Sequence, residues 1–213
     1  MTRIALIHAV TVAIDPIRAA FAELWPQAEL VNILDDGLSP DRAKDADLTP
    51  ALHRRIGDLG RYALSTGAQG VLYTCSAFGP AIEDFSREAP VPVLKPNEAM
   101  FARALDAGRR IGMLATFGPS VASMEAEFRE VAGPATIETV LVADAMAALK
   151  LGDASAHNRL LAAAAPRLAH CDAIMLAHFS TSRAYEAVSR AVDRPVLTAP
   201  RAAVEELRRR CQA

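Results

Sequence analysis

The feature that most restricts what this chain can become is that it repeats itself. Displaced by 103 residues, residues 71–94 fall on residues 174–197 without a gap. Ala81 meets Ala184, Glu83 meets Glu186, Ser86 and Arg87 meet Ser189 and Arg190, and Pro92-Val93-Leu94 meets Pro195-Val196-Leu197. The start of the chain repeats at an offset of 107, with Arg3-Ile4-Ala5-Leu6-Ile7 on Arg110-Ile111-Gly112-Met113-Leu114. Ordered identities at a nearly fixed spacing mark two copies of one structural unit. Related by a pseudo-two-fold, the halves would present Cys75 and its counterpart His178 to each other across a cleft.

Within each half, apolar runs of strand length alternate with longer segments of helical period. The pattern predicts strands at Arg3 to His8, Glu29 to Leu34, the run ending at Cys75, and Val91 to Leu94. It predicts helices from about Ile14 to Trp25, from Thr49-Pro50 to Thr66, and from Gly79 to Arg87. Residues 35–49, with Gly37 and Pro40 as breakers, read as a loop. The second half follows the same plan, with strands at Arg110 to Ala115, Thr136 to Val142, the run before His178, and Pro195 to Leu197. Its helices are expected over 97–107, 120–131, 154–169 with Pro166 kinking it or ending it early, and 200–210. Strand and helix in alternation imply an α/β fold with parallel sheets covered on both faces. Ligands of such folds bind at the carboxyl ends of strands, where His8, Cys75, Thr116 and His178 all stand. The expected lobes are 1–95 together with the C-terminal helix 199–213, and 96–198.

Cys75 closes an apolar run, sits between Thr74 and Ser76, and precedes the Gly79-Pro80 that opens a helix. Backbone N–H groups and the helix dipole at that point would favour a thiolate or hold an anionic substrate. The plainer alternative is a small buried hydrophobe, as free cysteines commonly are. Repetition tilts the balance, because it gives Cys75 a partner of known acid/base chemistry in His178. A thiolate and an imidazolium so paired would shift one another toward their charged forms.

Other classes of function are excluded by composition. A net charge of −2 and a pI near 6.2 give no footprint for nucleic acid. No apolar stretch reaches membrane-spanning length, and Met1-Thr2-Arg3 with its five-residue apolar run is too short for a signal peptide, so a cytoplasmic location is expected. The three cysteines, Cys75, Cys171 and Cys211, lack CxxC spacing, which argues against a disulfide framework and against a zinc site. With 5% aromatic residues a heavily aromatic pocket is disfavoured.

Leu72-Tyr73-Thr74-Cys75-Ser76, and Gly112-Met113-Leu114-Ala115-Thr116 with Ser120 and Ser123, resemble motifs of the aspartate/glutamate/hydantoin racemase superfamily, over nearly the whole chain. The resemblance implies two similar α/β lobes with four-stranded parallel sheets and an active site in the cleft between them. It implies a cofactor-independent racemase or epimerase acting on a small carboxylate, with Cys75 as acid/base and Ser76 and Thr116 binding carboxylate. His8, Phe117, Phe179 and Ser180 complete the expected substrate-binding set, no metal is expected, and a homo-oligomer is allowed. The chain departs from the family at the second thiol, where Leu176-Ala177-His178-Phe179 replaces a cysteine motif. One-thiol decarboxylases and cis-trans isomerases of the superfamily therefore stay open as readings, as does a small-acid binding protein that has lost catalysis. His178 is either the opposing acid/base or a core histidine. Thr116 is a carboxylate ligand, a helix N-cap or both; His8 is a substrate contact or a structural residue; Asp35 and Asp36 belong to a lid or to a solvated loop.

Overall fold

A computed structural model describes residues 1–45 and 47–212. They form two compact units, Met1–Ala99 with Ala203–Ala213, and Met100–Ala202.

The first unit begins with β1 (Arg3–His8), α1 (Ile14–Leu24) and β2 (Glu29–Leu34), followed by α2 (Leu38–Arg42) and α3 (Pro50–Ser65). It continues through β3 (Gly70–Tyr73), α4 (Gly79–Glu88) and β4 (Val93–Leu94), and α5 (Glu98–Ala107) leads out of it. The all-parallel sheet has the order β2-β1-β3-β4. Its central strands are apolar on both faces, and Ile7, Val71 and Tyr73 pack with Ile56, Phe78, Ile82 and Phe85. The start of α3 follows its sequence: Thr49 accepts a hydrogen bond from the Leu52 N–H at 3.3 Å, Pro50 fills the first helical position, and Gly67 turns the chain away at φ +80°.

Two expectations for this unit are corrected. Residues 35–49 are not all loop, because Gly37 and Pro40 are accommodated at the start of α2, where a helix has no intrahelical N–H bond to lose. Asp35 is not merely solvated. It grips the Arg55 guanidinium, accepting from Nε at 2.6 Å, while Asp41 accepts from Nη1 of the same guanidinium at 2.7 Å, so one α3 residue holds the segment down.

The second unit runs β5 (Arg110–Ala115), α6 (Val121–Ala132), β6 (Thr136–Leu141), α7 (Ala143–Lys150), α8 (Ala154–Ala164) and β7 (Ala173–Leu176). Then come α9 (His178–Thr181), α10 (Tyr185–Ser189), β8 (Val196–Thr198) and α11 (Ala199–Gln212), whose later part belongs to the first unit. The sheet order β6-β5-β7-β8 copies the first, and so does the register. Arg3 pairs with Glu29 and Arg110 with Thr136; Ile4 pairs with Gly70 and Ile111 with Ala173; Val71 pairs with Val93 and Ile174 with Val196. A one-residue slip would turn each buried strand inside out, so equal register is a stricter sign of duplication than equal strand count. Helix α7 is an addition to the expected plan. Pro166 does end α8 early, passing the chain into a 3₁₀ turn at Ala165–Leu168.

Gly60 lets α3 approach the sheet. A Cβ there would lie 2.5 Å from the Phe85 ring and 2.6 Å from the Tyr73 hydroxyl, and both rings are buried. Tyr73 cannot yield cheaply, since its hydroxyl donates to the Ile56 carbonyl at 2.9 Å. Gly60→Ala is therefore expected to destabilise the protein by about 1–3 kcal/mol through overpacking, measured by urea unfolding, although alanine is the better helix former. The last helix closes the same unit from another side. A Cβ on Gly70 of β3 would meet Cys211 Sγ at 2.9 Å and Leu207 Cδ1 at 3.1 Å.

Candidate active site

At the carboxyl edge of the first sheet, β3 ends at Tyr73 and the chain stays extended through Cys75 (φ −129°, ψ 123°) before a 3₁₀ turn at Ser76–Phe78 leads into α4. Cys75 is half-buried against the lobe's core, and Ser76 is exposed. The residue before the thiol is fixed from three strands. The Thr74 N–H donates to the Ile7 carbonyl at 3.0 Å, the Thr74 hydroxyl meets His8 Nδ1 at 2.9 Å, and His8 Nε2 meets Asn32 Oδ1 at 3.1 Å. With Nε2–H donating to Asn32, Nδ1 is left to accept from Thr74. His8 is fully buried with both ring nitrogens engaged inside the lobe, which is the structural one of its two alternatives.

The equivalent edge of the second sheet carries Thr116 and Phe117 beyond β5, and His178, Phe179 and Ser180 beyond β7. The Ala177 N–H donates to the Leu114 carbonyl at 2.9 Å, as the Thr74 N–H does to Ile7 in the other lobe. Phe117 is exposed, Phe179 is buried and Ser180 is half-buried. Thr116 caps nothing: the 3₁₀ turn at Gly118–Ser120 and α6 start without a side-chain cap, and the Thr116 hydroxyl is buried with no hydrogen-bond partner. His178 has a backbone φ of +67°, alone in this respect among the described non-glycine residues, and its Nδ1 is also buried without a partner. For a histidine the left-handed region costs roughly 1–2 kcal/mol, and such strain tends to be retained where a site needs it.

The pairing of charged forms expected from the sequence does not hold. Burial pushes the Cys75 thiol up, with the Ala77 N–H only partly offsetting it, and burial pushes the His178 imidazole down, with Ala177 partly offsetting it. The intervening 3₁₀ turn keeps Cys75 from being the cap of α4, so loss of water outweighs the helix dipole. The resting groups are a thiol and a neutral imidazole. His8 and His157 are also shifted down by burial, so the unfolded chain binds more protons than the folded one as pH falls through the histidine range near about 6.5. Stability should drop between pH 8 and pH 5, before the carboxylates titrate, and melting temperatures across that interval measure it.

Among the described residues, Glu138, His170 and Cys171 bring metal-ligating atoms within 4.8 Å of one another. The hydrogen bond between His170 Nε2 and Glu138 Oε2 at 2.8 Å already accounts for most of that closeness. His170 and Cys171 precede β7, at the end of the sheet away from His178. Sequence spacing gave no sign of this group. Thr181 and Thr198, two further buried hydroxyls without partners, also escaped notice, since a threonine in a helical or strand pattern carries no signal of its own.

Two four-stranded parallel sheets of matching order, each flanked by helices, make up the two-lobe fold of the racemases. The model of the Asp/Glu/Hydantoin racemase family matches residues 10–168, and the chain belongs to that family. Solved structures similar to it include allantoin racemase from Pseudomonas fluorescens, at 16% identity and a TM-score of 0.72, covering 98% of this chain and 90% of that one. An aspartate racemase homologue from Pyrococcus horikoshii has 14% identity and a TM-score of 0.73 over 100% of both chains. A variant of arylmalonate decarboxylase in a sulfate-associated form has 18% identity and a TM-score of 0.73, covering 99% of this chain and 94% of that one. At these identities the likeness concerns the fold. No curated protein is matched by the sequence. No helix among the described residues is long and apolar enough to cross a membrane.

Proposed function

We propose that the protein is a cofactor-independent racemase or epimerase that moves the α-proton of a small carboxylate, with Cys75 and His178 acting on opposite faces of one carbon. The observation that carries this reading is positional. The two residues occupy the same place in two sheets of identical register, immediately beyond the third strand of each, and both are shifted by burial toward their neutral forms. A neutral imidazole can accept a proton and a neutral thiol can give one, so the resting pair holds one base and one acid; inversion leaves an imidazolium and a thiolate, which run the reverse inversion or return to neutral by proton exchange with water. Thr116, with its unpartnered hydroxyl, is the proposed carboxylate ligand, and Ser76, Phe117, Phe179 and Ser180 are proposed as further substrate contacts. A carboxylate seated there would supply the missing partner of the Thr116 hydroxyl.

The test is incubation of the protein with a panel of small chiral carboxylates in deuterated water. Deuterium at the α-carbon with inversion supports the reading. Release of carbon dioxide from malonate-type acids without inversion replaces it with a one-thiol decarboxylase, and binding with no exchange replaces it with a lapsed enzyme.

A further inference from the structure

At the end of its sheet away from His178, the second lobe departs from the first in a concerted way. By the offsets of 107 and 103 that relate the two registers, Glu138 stands where the first lobe has Val31, His170 where it has Gly67, and Cys171 where it has Ala68. Small or apolar residues satisfy the fold at these places, and Ala68 and Cys171 are both buried. In the second lobe all three have become metal-ligating types, with one ligand atom of each within 4.8 Å of the other two. The His170–Glu138 hydrogen bond brings two of them together but not the third. Cys171 comes close for a separate reason. Gly112 of β5 pairs with Glu138 on one side and with Ile174 on the other, and it leaves bare backbone between them. A Cβ at Gly112 would lie 3.3 Å from Cys171 Sγ, so the glycine lets the thiol settle onto β5 within reach of the carboxylate on β6.

We infer that Glu138, His170 and Cys171 are the ligands of a zinc-class divalent ion that clasps the edge strand β6 to the turn entering β7. Glu138 and His170 are exposed, so the ion enters from solvent between them and meets the buried residue only at its sulfur. Zinc bonds of about 2.0–2.3 Å put neighbouring ligand atoms roughly 3.3–3.7 Å apart, so rotation of the two exposed side chains has about 1 Å to close. A thiolate with an imidazole selects zinc over magnesium or calcium, which take oxygen ligands. On binding, the thiol gives its proton to water, and the His170–Glu138 hydrogen bond is exchanged for two bonds to the ion, whose fourth position falls to water. The charges beside the group are engaged elsewhere. Asp172 Oδ2 accepts from the Arg109 and Arg110 N–H groups at 2.8 Å each, Asp172 Oδ1 lies 3.5 Å from the Arg110 guanidinium, and Arg194 Nε donates to the Ala169 carbonyl at 3.0 Å. The inference does not rest on the proposed function, since the group precedes β7 and His178 follows it.

The experiment uses the full chain carrying Cys75→Ala and Cys211→Ala, which leaves Cys171 as its one thiol. Freed of metal by a chelator, it is titrated with zinc chloride by calorimetry and with cobalt chloride by absorption. One equivalent of zinc should bind and raise the melting temperature, cobalt should give a thiolate-to-metal charge-transfer band, and magnesium chloride should do neither. Adding Cys171→Ala, which installs the first lobe's residue, should abolish both the band and the rise in melting temperature. Loss of even an outer-shell partner of a metal costs about 10–100-fold in affinity, so His170→Gln and Glu138→Gln should each weaken zinc binding at least that much. Both positions are exposed, so these two variants read the site even if the buried substitution unfolds the chain. The inference is overturned by the absence of zinc binding or of the thiolate band, by a band that survives Cys171→Ala, or by zinc affinity unchanged in His170→Gln. Magnesium binding as tight as zinc would overturn it too, by marking a surface carboxylate that attracts any cation.

Discussion

Replacing Cys75 by alanine is expected to lower inversion at the α-carbon by about 10²–10⁴-fold, the usual contribution of a positioned acid or base, while leaving the fold nearly as stable as before. The thiol makes no side-chain cap to the turn or helix that follows it. The backbone around it is held instead by the Thr74 N–H on the Ile7 carbonyl and by the His8–Thr74–Asn32 chain, none of which the substitution touches. Since burial raises the thiol, inactivation by iodoacetamide should accelerate only above the ordinary thiol range, and activity loss should track alkylation of Cys75 alone. Cys171 is buried in the second lobe's core and Cys211 lies against Gln69, so Cys171→Ala and Cys211→Ala should both keep turnover. Paired inversion assays and melting curves decide the matter. Inversion by Cys75→Ala at the parent rate would remove the thiol from the mechanism.

His178→Ala should separate exchange from inversion. One base can take a proton and return deuterium to the same face, so the small share of Cys75 ionised to thiolate leaves slow exchange with retained configuration, whereas inversion needs a group on the far side. The drop in inversion should again be of order 10²–10⁴-fold. His178→Cys restores the family's second thiol and should keep inversion. Backbone strain adds an independent readout. At φ +67° alanine inherits the left-handed penalty and glycine does not, so His178→Gly should be more stable than His178→Ala by roughly 1 kcal/mol, with neither inverting. Chiral chromatography with mass spectrometry in deuterated water reads the first effect and urea unfolding the second. Inversion by His178→Ala at the parent rate would make the histidine a bystander.

Much of the fold was legible because duplication and periodicity are properties of many residues at once. The offset of 103 that joins Val71 to Ile174 in the sequence is the same offset that joins the β3–β4 pairing to the β7–β8 pairing in space. Helix α7 was missed for a local reason: Ala-Asp-Ala-Met-Ala-Ala-Leu-Lys has the composition of a helix, but it is eight residues long and follows directly on a β-branched strand. At the site, strand ends marked Cys75, Thr116 and His178, because position along a strand is fixed by the pattern. What the pattern does not carry is solvation. The direction in which Cys75 and His178 titrate depends on how much water reaches them, and the sequence pointed to charged groups where burial favours neutral ones. Whether Thr116, Thr181 or Thr198 has a hydrogen-bond partner is likewise decided by atoms distant in the chain.

The return of α11 to the first lobe sets an order on synthesis. Ala203, Val204 and Leu207 are fully buried, and Leu207 and Cys211 lie against Gly70 in β3, yet they leave the ribosome only after the whole second unit. The second unit is continuous in sequence and can close as soon as residue 202 has emerged, while the unit that begins the chain must wait. At elongation speeds of about 5–20 residues per second, the stretch between residues 99 and 203 keeps the flank of β3 uncovered for roughly 5–20 s on every nascent chain. The amino-terminal lobe is thus the later to mature. A transcript cut short before α11 would yield a protein with a finished second half and an open first one, an intermediate suited to capture by chaperones or to removal by proteases.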